Sequence, residues 1–277
     1  MKRDANDILR EEGPDALREA FVISSERAKA NGHQSALYLP PPSQPMDCAR
    51  EYVNEYCVLK DGTLTVRYWR GGWWKWMISR WEEIEGDAMR ASLYKFTEHA
   101  VYETDKGDEK QWAPTVRRVS DLTDALKAIT LLPATQDQPC WLDERETGTI
   151  VAVGNGLLDI ERRELLPHTP QYFNQTFVPF DYDASAPEPT EWLAFLGELW
   201  PNEPEAIDVL GEWFGYVFSG RLDLHKMMLM IGPTRGGKGL IGRILSALIG
   251  RQNVCGPTLT NLGGEKGLMP LIGKPLR

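Results

Sequence analysis

The spacing of apolar positions changes several times along this chain, and each change predicts an element. Between Asp4 and Ala30 the apolar residues are Ile8, Leu9, Leu17, Ala20 and Phe21, with Gly13-Pro14 in the middle. This predicts two short helices, the second carrying Pro14 near its first turn, where a missing N–H is harmless. The run Pro40-Pro41-Pro42-Ser43-Gln44-Pro45 can continue neither a helix nor a central strand. It predicts an extended linker and a domain boundary. Beyond it, residues 63–69 and 73–77 are rich in aromatic and β-branched types around Arg70-Gly71-Gly72, a hairpin pattern. Met89, Leu93 and Phe96 then fall at helical spacing, and residues 149–160, containing Gly154-Asn155-Gly156, predict a second hairpin.

The last third of the chain is helical until it reaches a glycine-rich stretch. After Pro187 and Pro189, one apolar face is formed by Trp192, Phe195, Leu196 and Leu199. A second helix from about Glu205 carries Leu210, Trp213, Phe214 and Val217 and stops at Gly220. Lys226-Met227-Met228-Leu229-Met230-Ile231 is a short, nearly continuous apolar run, as expected of a parallel strand covered on both faces. A helix with Ile241, Ile244, Leu245 and Leu248 on one face follows and ends at Gly250. These breaks divide the chain into 1–45, 46–220 and 221–277, and its 277 residues suffice for two domains.

Composition narrows the class. Apolar residues make up 42% and charged residues 26%, enough apolar content to bury a core. No apolar run approaches the roughly 18 residues of a membrane helix, and Met1-Lys2-Arg3-Asp4 does not open a signal peptide. Cys48, Cys57, Cys140 and Cys255 are widely spaced, a pattern of reduced thiols in a cytoplasmic protein. The net charge is −9, yet Glu164 to Gly220 holds ten acidic residues and no Lys or Arg, while the rest is balanced at 31 basic against 30 acidic. The acidity belongs to one segment and does not exclude a nucleic-acid partner.

The chemistry is concentrated in Gly232-Pro233-Thr234-Arg235-Gly236-Gly237-Lys238-Gly239-Leu240. Strand, then G-x-x-x-x-G-K, then helix is the context of a phosphate-binding P-loop. Glycines let the backbone wrap around phosphates, successive N–H groups line the concavity, and the helix N-terminus adds partial positive charge. Lys238 would bridge the β- and γ-phosphates of a nucleotide such as ATP. The competing reading is a glycine-rich turn with an incidental lysine, and the flanking elements argue against it. One position departs from the pattern. The residue after the lysine ordinarily carries a hydroxyl for Mg²⁺, but here it is Gly239, followed by Leu240, and Thr234 lies too early in the loop to substitute. Nucleotide binding tolerates this departure better than hydrolysis does.

Several ordered motifs carry a resemblance: Asn155-Gly156-Leu157-Leu158-Asp159-Ile160, Leu165-Leu166-Pro167-His168-Thr169-Pro170, Pro179-Phe180-Asp181-Tyr182-Asp183, Glu212-Trp213-Phe214-Gly215-Tyr216 and the block from Lys226 to Gly239. From about Asp47 onward the chain resembles phage and plasmid primase–helicases, superfamily 3 helicases of the AAA+ class. Some members carry a hydroxyl one residue late in the P-loop, and Leu240 departs even from that variant. The resemblance implies an α+β helicase-associated region followed by the start of an α/β P-loop (AAA+-like) domain. It also implies an ATP-dependent replication helicase that acts on single-stranded DNA as a homo-oligomeric ring, commonly a hexamer, in the bacterial host cell of a phage, prophage or plasmid. No Walker B strand, sensor or arginine finger is assignable before Arg277, which is where the resemblance would place the Walker B strand, so a truncated motor is the expectation. Residues Lys2 to Leu9, with Gly13 and Ala16-Leu17-Arg18, resemble the trailing edge of a Toprim-type primase domain.

Other features have plainer readings. Arg67 to Arg80 holds four basic residues, no acidic ones, and the rings of Tyr68, Trp69, Trp73, Trp74 and Trp76. Such a stretch could stack single-stranded DNA, but tryptophans in strands belong more often to a core, and that reading is favoured. The acidic segment reads as a solvated helical surface, with a protein-docking face as the alternative. His33, His99, His168 and His225 are isolated, and no metal site or catalytic residue is assigned. Two other function classes stay open: a module that binds nucleotide or DNA, or fills a place in a ring, without hydrolysis, and a P-loop nucleotide kinase.

Overall fold

The computed structural model of the chain describes residues 37–256, apart from 144, 146, 147, 222 and 223. The helix pair expected between Asp4 and Ala30, and everything from 257 onward, lie outside the described residues.

The proline run departs from expectation. Leu39 is buried and donates its N–H to the Val101 carbonyl, Val101 N–H donates to the Leu37 carbonyl, and Gln44 N–H donates to the Pro41 carbonyl. The Pro40 carbonyl accepts the Trp112 indole N–H at 3.2 Å. Prolines lack a donor but keep their carbonyls, so this run turns against the body instead of spanning open solvent. Pro45 then opens helix α1 (Pro45–Tyr56).

Three antiparallel strands, β1 (Val66–Trp69), β2 (Gly72–Trp76) and β3 (Trp81–Ile84), lie in sequential order. Arg70 and Gly71 make the first turn with φ of 47° and 85°, the two-residue geometry whose twist suits a hairpin. Both faces of this sheet are covered. Val66, Tyr68, Trp73 and Ile84 pack on α1, α2 (Gly86–Thr97) and α3 (Val116–Thr130), through Cys48, Tyr52, Leu93, Phe96, Leu122 and Leu126. The expected helical residues Met89, Leu93 and Phe96 are all buried in α2. Thr115 caps α3 by accepting the Arg118 N–H, which satisfies one of the donors a helix start leaves open. A short hairpin, β4 (Val101–Glu103) with β5 (Glu109–Gln111), borders this layer.

On the opposite face Trp69, Trp74 and Trp81 close around Phe173, whose ring meets theirs edge-on at 5.2, 6.1 and 5.4 Å. Phe173 belongs to β10 (Tyr172–Phe173), which pairs with β6 (Cys140–Trp141). Between them lies the second predicted hairpin, β7 (Ile150–Val153) and β8 (Gly156–Asp159), extended by β9 (Glu164–Leu166). Asp159 is buried at the end of β8 and accepts the N–H groups of Glu161 and Arg162, both at 3.0 Å. It therefore shapes the turn into β9. At the other end, Gly154 N–H donates to the Phe180 carbonyl, and the Asn155 amide both donates to and accepts from the Tyr182 backbone at 2.9 Å. A Cβ on Gly154 would lie 3.0 Å from the Phe180 carbonyl carbon, so glycine admits this approach.

Helices α4 (Thr190–Leu199), α5 (Pro204–Ser219) and α6 (Lys238–Ile249) form a separate apolar cluster around Leu196, Leu210, Phe214, Val217, Ile241, Leu245 and Ile249. Gly220 ends α5 at φ 67°, where an added Cβ would press on Thr176. The strand expected over residues 226–231 is not a strand among the described residues. A strand exists through a neighbour's N–H and C=O groups, and no described segment pairs with it. Met228 leans on the helical cluster, while Met227, Leu229 and Ile231 are 89%, 78% and 87% exposed. No described helix is long and apolar enough to cross a membrane.

Candidate functional site

The loop before α6 is organised by its own backbone. Arg235 and Gly237 have positive φ, 66° and 75°, alternating with ordinary residues in the manner of an anion-holding nest. Gly236 N–H donates to the Pro233 carbonyl at 3.2 Å and closes the turn. A side chain at Gly237 would meet Leu199 at 2.9 Å and Phe195 at 3.1 Å. Glycine at this position therefore serves both the left-handed backbone and the seating of the loop on α4. Gly237 is the N-cap of α6, and the N–H groups at Lys238 and Gly239 precede any helical acceptor.

Lys238 curls back over the loop, its Nζ donating to the carbonyls of Gly232 at 2.8 Å and Pro233 at 2.7 Å. The ammonium is thus held against the start of the loop that leads into α6. Gly232, Pro233, Thr234 and Arg235 line an exposed rim, and Gly239 and Leu240 are exposed on the first turn of α6. All nine residues expected at the site therefore belong to one loop and helix start.

The loop offers a divalent metal little direct ligation. Gly239 and Leu240 supply no hydroxyl, and among the described residues no three His, Cys, Asp or Glu side chains gather closely enough to hold an ion. One residue absent from the sequence-based set borders the site. Arg243 Nη1 lies 3.6 Å from the place a Gly239 Cβ would occupy. The signal was legible as helix spacing, since residues four apart share a face.

The aromatic and basic stretch 67–80 is arranged otherwise. Trp69, Trp73 and Trp74 are buried. Arg70 stacks over Trp69 at 4.4 Å and pairs with Asp137, and Arg80 pairs with Glu82. Arg67 stands opposite Trp74 in the sheet, and burial pulls its pKa below the ordinary guanidinium value. The core reading of these tryptophans holds. Burial also pushes the Cys57 thiol up to about 12.

Three of the motifs that carried the resemblance meet in space: Leu157 and Leu158 pair with Leu166 and Leu165, and the Asn155 turn is bonded to Phe180 and Tyr182. Comparison with known families gives the same class: a family model described as D5 N terminal like matches residues 51–201. The match covers more than half of the chain, and the chain belongs to this family, the N-terminal domain of phage and plasmid primase–helicases of the D5 type. The matched span takes in β1 to β10 and the helices α2 to α4, and stops short of α5 and the glycine loop.

Proposed function

We propose that residues 232–240 hold the phosphates of a nucleoside triphosphate, ATP, and that the chain is the nucleotide-binding part of a phage or plasmid replication helicase. The observation that supports this most is the Lys238 ammonium folded onto the Gly232 and Pro233 carbonyls at the N-terminus of α6. An arriving phosphate chain exchanges those neutral acceptors for charged ones, a stronger partnership for a lysine. Backbone N–H groups and the helix dipole act in the same direction. Single-stranded DNA as the track, and a homo-oligomeric ring as the working assembly, are parts of the same proposal and follow from the family resemblance.

The test is titration of the full chain with a fluorescent ATP analogue, beside Lys238→Ala. Saturable binding that the substitution abolishes is the expected result. Equal binding by both proteins would show that this loop is not the phosphate site. A second reading, nucleotide binding without turnover, is favoured by the lack of a hydroxyl at Gly239 and Leu240.

A further inference from the structure

We infer that Asn253 is a positioning residue of the phosphate loop: it fixes the far end of α6 to the D5-type domain, so that this domain sets the direction in which the loop faces and responds to what the loop holds. The inference rests on the phosphate-binding reading of residues 232–240 and deepens it.

Asn253 follows α6 in the short 3₁₀ turn Arg251–Asn253 and is buried, with 4% of its surface exposed. Polar side chains are buried where their hydrogen bonds are met, and here both amide N–H bonds are spent on carbonyls. Nδ2 donates to Ile249 at 2.7 Å and to Phe177 at 2.8 Å. The first is one of the carbonyls that a helix end leaves without a partner. The second lies 76 residues earlier in the chain. A carboxylate at this position would set oxygen against oxygen, and an aliphatic side chain would leave both acceptors unmet.

The Phe177 carbonyl is itself held in place. Asn174, also buried, donates to the carbonyls of Thr176 and Ser79, and Val178 N–H donates to the Ala152 carbonyl in β7. Gly220, at the end of α5, lies against Thr176. Phe177 is thus a fixed point within the span that the family model matches. At the opposite end of α6, Gly237 is seated on Leu199 and Phe195 of α4, which belong to the same span.

Between these two ends α6 is held by Ile241, Leu245 and Ile249 in an apolar cluster. Apolar contact is non-directional, so it permits small tilts that the Asn253 bonds oppose. With 12 residues the helix is about 18 Å long, and a tilt of about 5° moves its end by roughly 1.5 Å. Such a shift exceeds the distance tolerance of the hydrogen bonds a phosphate would make to the loop. Coupling of this kind is reciprocal, so an occupied loop should in turn steady the Asn253 end.

Titration of the full chain with the fluorescent ATP analogue, at a temperature where circular dichroism shows every protein folded, tests the first half. Asn253→Asp keeps the side-chain volume, loses both donors, and should weaken binding about tenfold, the scale of a lost buried hydrogen bond. A residue that only held the fold together would lower the unfolding midpoint and leave the affinity of the folded chain unchanged. Hydrogen exchange on the unsubstituted chain tests the second half. The Asn253 and Val254 amides bond back to Gly250 and Arg251, and ATP should slow their exchange although they lie a helix length from the loop. A folded Asn253→Asp chain that binds as tightly as the parent, or exchange at 253 and 254 indifferent to ATP, overturns the inference and leaves the phosphate loop standing. Parent binding that Lys238→Ala does not alter overturns the phosphate loop, and this inference falls with it.

Discussion

Residues 67–80 and residues 232–240 both combine cations with the residue types that hold nucleic acid or nucleotide, and the fold treats them in opposite ways. In the first region every strand position faces a covered side. Trp69 and Trp74 close on Phe173, Tyr68 and Trp73 on the helices, and Arg70 and Arg80 are engaged by Asp137 and Glu82. In the second, the backbone turns outward and Lys238 has only carbonyl partners, which a stronger acceptor can displace. The lesson concerns satisfaction. A ring or a cation whose surface is already buried or paired has little left to give a ligand, whereas donors held open at a helix start remain available.

The comparison can be broken most forcefully at Phe173. It is fully buried where three tryptophans converge, and Phe173→Ala should cost about 3–5 kcal/mol. Urea unfolding followed by tryptophan emission measures this, and a loss as small as that of a surface substitution would show that the tryptophans are not a core. Lys238→Ala, in the same assay, should stay within about 0.5 kcal/mol of the parent, since its role is directed at a ligand.

Gly237→Ala sharpens the other side. The new methyl would need φ near 75° and would press on Leu199 and Phe195. A cost of about 1–2 kcal/mol follows from the left-handed backbone alone, with weaker nucleotide binding as the loop shifts from α4. Unchanged thermal stability and unchanged binding together would mean that the loop does not depend on this contact.

The smallest effect concerns His168. It is half-buried beside Phe177 with Nε2 3.4 Å from the Gly154 carbonyl, and burial lowers its pKa below the ordinary 6.5. As pH falls through 6.5 the unfolded chain takes up the proton first, so stability drops from there downward. His168→Gln should flatten that decline in urea midpoints, and an identical slope in both proteins would remove His168 from the account.

Much of this was legible in the sequence because local rules are strong where period and turn chemistry agree. Arg70-Gly71 and Gly154-Asn155 marked two hairpins, Leu210, Phe214 and Val217 marked a helix face, and the spacing of Gly232, Gly237 and Lys238 marked the loop. These depend on residues within a few positions of one another. What only the tertiary structure decided needed partners distant in sequence. The proline run packs because Val101 and Trp112 lie beside it, the tryptophan sheet is covered twice because Phe173 returns to it, and residues 226–231 lack a ladder because no described segment runs alongside. Hydrophobic period says that a face will be buried. Which surface covers it, or whether any does, is settled by contacts between elements that no local pattern encodes.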